Sequence, residues 1–180
     1  DMTSKIDEVG AAQIYPTWNG GGTVKVVILN NDLMPASASL VQKVKNALDP
    51  EDKQAEGYGL APIDHAVTVT APEKLIVNVD IAVKLDDTKV TRYVKDSITK
   101  AVEGYFQSLR EDWADINQKL GRGYQETIYR SKILSQVMLT EGVVNAKLPS
   151  LNGKDADIDL IFNNEKSQLP VVGTVTINEQ

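Results

Sequence analysis

The run from Lys74 to Leu85 constrains this chain more than any other feature. Leu75, Val77, Val79, Ile81, Val83 and Leu85 alternate there with Lys74, Ile76, Asn78, Asp80, Ala82 and Lys84. Period-two alternation is what a β-strand with one covered face and one wet face requires, because successive side chains point to opposite sides. A helical period follows. From Thr88 to Leu109 the residues Val90, Val94, Ile98, Ala101, Val102, Tyr105, Phe106 and Leu109 recur at three- and four-residue spacing, an apolar stripe on one helix face. A strand that needs cover beside a helix that offers a stripe predicts a sheet with helices on one side.

Upstream, Thr23 to Leu29 is a β-branched run between Asn19-Gly20-Gly21-Gly22 and Asn30-Asn31-Asp32, and it predicts the first core strand. A helix opening at Pro35 carries Leu40, Val41, Val44 and Leu48 on one face. It should stop at Asp49-Pro50, since the residue before a proline is pushed out of helical backbone. Val67 and Val69 alternate with Thr68 and Thr70 as a further strand that Pro72 ends. Beyond the Gly121-Arg122-Gly123 loop, Ile128 to Leu139 reads as a helix stopped at Gly142. Val143 to Leu148, Asp157 to Ile161 and Gly173 to Ile177 then read as strands, separated by the turn signals Asn152-Gly153 and Leu169-Pro170. The expected fold is α+β: two small sheet-plus-helix modules in tandem, βαβ over residues 1–72 and βααβββ over residues 73–180, divided near Ala71 to Lys74.

A formal charge of -6 repels phosphate, so neither nucleic acid nor an anionic membrane surface is an expected partner, and protein partners fit better. The chain has no cysteine, which removes disulfides, thiol nucleophiles and cysteine zinc sites together. No apolar run approaches the roughly 20 residues of a membrane span. The start, Asp1-Met2-Thr3-Ser4-Lys5, has no signal-peptide core, and it suggests a piece of something longer.

Each cluster that suggests chemistry has a plainer reading. Gly20-Gly21-Gly22 precedes a strand, whereas phosphate loops follow one and open a helix, so it is expected to be a tight turn. Asp155, Asp157 and Asp159 offer hard oxygen ligands, but calcium loops need more ligands and an internal Gly turn. Their alternation with Ala156, Ile158 and Leu160 predicts the exposed face of a strand and a local anionic patch. His65 is the one histidine and lacks accomplices for a triad or a metal site. Asp86-Asp87 and Glu111-Asp112 lie at element ends, where acidic residues are ordinary; Asp87 and Thr88 look like helix N-cap material. Trp113, Tyr124 and Tyr129 with Arg110, Arg122 and Arg130 imitate a nucleic-acid platform, yet in an acidic chain, and read as a long loop from Arg110 to Gln125, they suit a protein interface at least as well. No catalytic, cofactor-binding or metal residue is expected.

Several segments together resemble the baseplate J-like family of phage tails and related contractile injection machines. Tyr15-Pro16-Thr17-Trp18-Asn19-Gly20-Gly21-Gly22-Thr23-Val24-Lys25-Val26 is similar to the family's turn and first strand. Gly59-Leu60-Ala61-Pro62-Ile63-Asp64-His65-Ala66-Val67-Thr68-Val69 is similar to its Ala-Pro-Ile/Val-Gly segment, with Asp64 in place of the usual glycine. Ser131-Lys132-Ile133, then Glu141-Gly142-Val143-Val144 and Leu169-Pro170-Val171-Val172-Gly173-Thr174-Val175, resemble its last helix and terminal strand. The resemblance covers the family's middle and C-terminal domains and implies that an N-terminal region is missing.

It also implies a structural component of a phage or phage-like tail baseplate that joins subunits and passes on the trigger for sheath contraction, without enzymatic activity or cofactor. Implied partners are other baseplate subunits and copies of the chain itself, in a virion tail assembled in the host bacterial cytoplasm. The contact residues to inspect are Trp18, Arg110, Trp113, Arg122, Tyr124, Asp155, Asp157 and Asp159. Two other readings stand beside this one. A ferredoxin-like ligand-binding or regulatory module would need a concave pocket with convergent polar groups. A hydrolase domain would need a paired nucleophile and base.

Overall fold

The structure, a computed structural model, describes residues 6–115 and 125–180. The chain is α+β and separates into two compact units. Residues up to Lys74 and the segment Ile161–Leu169 make the first. Leu75–Trp113, Gln125–Leu160 and Pro170–Gln180 make the second, so residues 161–169, expected within the second module, belong with the first.

In the first unit, β1 (Val9–Pro16) runs antiparallel to β2 (Thr23–Asn30), and β3 (Ala66–Thr70) lies parallel to β2 on its other side. The central strand is buried from Lys25 through Leu29, as a strand covered on both faces must be. On one face Val26 and Ile28 pack with Leu40, Val44 and Leu48 of α1 (Ala38–Leu48) and with Val67 and Val69. Each of those side chains contributes roughly 1.5 to 3 kcal/mol on leaving water. The helix begins at Ala38 rather than at Pro35, because the Ser37 hydroxyl accepts the Leu40 N–H at 3.2 Å and caps it there.

β1 is a strand that the sequence reading passed over. Its inward positions are Val9, Ala11, Gln13 and Tyr15, and a buried glutamine hides the alternation from any hydropathy pattern. The register shifts between Val9 and Ala11, where a Cβ on Gly10 would run into Asn30 O.

In the second unit, β4 (Glu73–Leu85) pairs antiparallel with β6 (Val143–Ala146) and β7 (Ser150–Leu151), and it also pairs with β9 (Gln168–Glu179). Val77, Val79, Ile81 and Val83 are buried, while Ile76, Asn78, Asp80 and Lys84 are exposed, as the alternation requires. The long helix, α2, spans Thr91–Asp115. It starts later than expected because Asp86, not Asp87, closes the preceding turn by accepting from the Thr88 N–H and hydroxyl. It ends later because Leu109 is followed four residues on by buried Trp113, which carries the stripe another turn. Val90 lies ahead of the helix and is exposed.

A two-stranded ribbon, β5 (Thr127–Ile128) with β8 (Ile158–Asp159), precedes and follows α3 (Arg130–Met138), and α3 packs along β6. Asn152 and Gly153 both have positive φ and form the tight turn their sequence signals. The other expected turn, Leu169-Pro170, lies inside β9. Proline's fixed φ suits extended backbone, so the residue is accommodated near the strand's start.

Candidate contact surfaces

Several of the sequence motifs prove to be pins inside one unit or the other. Within the first unit, the leading turn is closed by Thr23: its hydroxyl accepts from Asn19 N at 3.0 Å and donates to Gly20 O at 2.7 Å. Gly22 has φ +74, and a Cβ there would press on Asp64 O. Leu60 N and Ala61 N donate to Ala47 O and Leu48 O, two carbonyls left over at the end of α1. Gly59 permits this, since a Cβ would collide with Leu48 O. Asp64 stands at φ 64, the left-handed backbone for which glycine is best suited and which aspartate tolerates better than most residues. His65 is exposed, with Nδ1 3.1 Å from Ile63 O.

The centre of this network is Asp49, which sequence reasoning saw only as a helix end. Its buried carboxylate accepts from Lys45 Nζ at 2.9 Å, Ala55 N at 2.8 Å and Val67 N at 2.9 Å. Burial pushes the carboxyl up, but the Val67 amide, the Lys45 ammonium and the Ala55 amide outweigh it, and the pKa lies below its ordinary value. One side chain thus ties the end of α1, the following loop and β3.

On the opposite face of the same sheet lies a second buried cation, Lys25. Its ammonium donates to Asn164 O at 2.8 Å and sits 5.6 and 5.7 Å from the ring centres of Tyr15 and Trp18. Burial lowers its pKa, and Glu165 raises it in part. The segment carrying Asn164 is held further by Tyr15 Oη to Ser167 Oγ at 2.8 Å and by Lys166 to Glu73 at 2.8 Å. Trp18, expected as a contact residue, is half-buried against Lys25, and its indole N–H is enclosed without a hydrogen-bond partner.

In the second unit, the three expected aspartates gather around the start of α3. Tyr129, at the cap position, makes no side-chain cap bond, and Asp157 serves instead by accepting the Arg130 N–H at 2.8 Å. Asp155 pairs with Arg130 Nη2 at 2.8 Å, and Asp159 accepts from the Thr127 hydroxyl at 2.5 Å. Only Ile158 and Asp159 are strand, so the expected strand face is instead a loop clamp, with all three carboxylates exposed.

Trp113 is corrected outright. It is fully buried on α2, not displayed on a loop, and so it presents no surface to a partner. Arg110 is half-buried on the same helix, with Nη1 3.4 Å from Pro170 O and Nε enclosed without a partner. Arg122 and Tyr124 lie outside the described residues.

Sequence reasoning also passed over Glu126. Both of its carboxylate oxygens are buried without a hydrogen-bond partner, and burial, aided by Asp112, pushes its pKa up to about 8. Nothing local marks it, because its enclosure depends on distant chain. A cavity of about 190 Å³ beside Lys25 is lined by Thr70, Glu73, Glu165 and Lys166, with Glu73 and Lys166 already paired across it. Among the described residues, no group of three or more His, Asp or Glu side chains is placed to hold a metal, and no helix is long and apolar enough to cross a membrane.

Comparison with known proteins matches residues 2–71 to the baseplate J-like central domain and residues 77–178 to the baseplate J-like protein C-terminal domain. The chain is 32% identical, over its whole length, to the phage-like element PBSX protein XkdT of Bacillus subtilis strain 168, of which it covers 47%. It is 39% identical to the uncharacterized protein YqbT of the same organism over 105 residues, which is 58% of this chain and 30% of that protein. The chain therefore spans half or less of the length of these relatives. With both domain types matched in order on two α+β units, the chain belongs to the baseplate J-like family.

Proposed function

We propose that this chain is a structural part of a phage or phage-like tail baseplate, a subunit that acts through contacts and not through chemistry. The observation that carries the reading is the paired match to the two baseplate J-like domains over nearly the whole chain. The side chains agree with it. Several charged groups that a binding or catalytic site could use are engaged in internal pins: Asp49 on three donors, Lys25 on Asn164, Asp157 on the start of α3.

Its partners are other baseplate and tail subunits, including copies of itself, and its place is the baseplate of a tail assembled in the bacterial cytoplasm. The net charge of -6 speaks against nucleic acid. Of the expected contact residues, Trp18 and the aspartates 155, 157 and 159 remain as candidates; Trp113 does not. Transmission of the contraction trigger is the finer part of the proposal.

Tail particles purified from cells producing the tagged full-length protein test both parts. The protein should co-sediment with sheath and tube and label at one end of the particle. Its recovery only in the unassembled fraction would overturn the structural role. Particles that carry Asp155→Lys and assemble normally, yet contract no differently from wild type, would remove that aspartate from the trigger.

A further inference from the structure

The structure leaves one long strand edge open. Among the described residues β9 pairs with β4 alone. Thr174 N donates to Asn78 Oδ1 at 2.9 Å and Gln180 N to Val83 O at 2.9 Å, so from Thr174 onward the even-numbered residues turn their backbone groups toward β4, whereas at the start of the strand Gln168 N is taken by Ile161 O. Alternation then points N–H and C=O of Gly173, Val175, Ile177 and Glu179 away from it.

Proteins usually guard such an edge with charge, proline, a bulge or brevity. Among the described residues the other sheet edges are shorter or guarded: β3 has 5 residues and gives its Val67 N–H to Asp49. β6 and β7 have 4 and 2 residues and are separated by a stretch containing Pro149, and β1 carries a register shift and ends in Pro16. β9 is 12 residues long and has no Asp, Glu, Lys or Arg before Glu179, and its one proline lies at the start. Val171, Val175 and Ile177 are half-buried, while Thr174, Thr176 and Asn178 are exposed.

We propose that the free edge of β9 receives an extended segment of another tail protein as an additional strand. This inference rests on the tail role proposed above and adds its contact. Only an extended chain satisfies backbone groups that recur at every second residue. The partner's side chains continue both faces of the sheet: apolar ones beside Val175 and Ile177, polar ones beside Thr174 and Thr176. Charge selects further. A chain of net charge -6 disfavours a second copy of itself and favours a neutral or basic strand.

Hydrogen exchange read by mass spectrometry on peptides covering 170–179 tests this in the full-length protein, free and in purified tails. The outward amides should exchange readily in the free protein and become protected in the particle. Val175→Pro removes an outward N–H and spares the β4 ladder; it should lower incorporation into tails about tenfold. Ile177→Lys, which guards the edge by charge, should act alike if the proline variant fails to fold. Protein present in tails with residues 170–179 unprotected would overturn this inference and leave the tail role standing. Absence from tails would overturn the role itself. Protection arising in the free protein together with a dimer in sedimentation would assign the edge to a second copy, against the proposal.

Discussion

The two units stabilise themselves in opposite ways. The first has an 11-residue helix on a three-stranded sheet and buries its charge: the Lys45–Asp49 pair on the helix side, Lys25 on the other. The second has a 25-residue helix whose buried stripe runs from Val94 to Trp113, and two of its ion pairs, Lys89–Glu141 and Lys95–Glu179, lie at the surface. A short helix offers little apolar area, so position in the first unit is fixed by directional bonds to buried groups. A long one offers enough area that the second unit's surface ion pairs add little. Among the described residues of the second unit, the enclosed and unpaired carboxylate of Glu126 is a cost and not a pin.

The contrast breaks most visibly at Asp49. Asp49→Ala would strand the Lys45 ammonium and the Ala55 and Val67 amides, and a loss of about 3 to 5 kcal/mol is expected in urea denaturation. A small loss would mean that the apolar contacts of α1 suffice alone. The response to acid distinguishes the units next. Because the Glu126 pKa is raised to about 8, its contribution is fullest below its ordinary value of 4.5 and is lost as pH rises through 8. Stability should therefore climb on acidification across that window, by up to about 1.4 kcal/mol per pH unit, and Glu126→Gln should flatten the climb.

Asp49 behaves in the reverse sense. Its pKa is lowered from 3.8, so its contribution holds above that value and disappears as pH falls through the lower folded value. Melting curves of wild type and the two variants from pH 8 to 3 check both signs. Smaller still, Gly59→Ala would push a Cβ into Leu48 O and cost about 1 to 2 kcal/mol. Smallest, Asp64→Gly relieves a positive φ and should stabilise by about 0.5 kcal/mol in the same melts.

Much of the fold was legible. The alternation of Lys74 to Leu85 placed β4 and its buried face, and the stripe read from Val90 to Leu109 placed α2, whose buried part begins at Val94. What escaped were elements whose burial is polar or whose ends are set from afar. β1 was hidden by Gln13, and the stop of α2 was missed because Trp113 was read as a loop aromatic. The aspartates at 155, 157 and 159 were identified as a group, but their work as a clamp on α3 depends on Arg130 and Thr127, which the run itself does not reveal. The resemblance had more reach than any residue class. It rested on turn glycines and prolines, and Gly22 and Gly59 occupy places where a Cβ would strike backbone.

The sequence by itself determined which faces are apolar and that the order of turns matches the baseplate J-like pattern, because side-chain period and turn chemistry are local properties of the chain. Only the tertiary structure decided which charges are pins and which edge is open. Asp49 reaches Val67 across 18 residues and Asp157 reaches Arg130 across 27. A hydrogen bond is a matter of distance and angle in space, and spacing along the chain does not fix either.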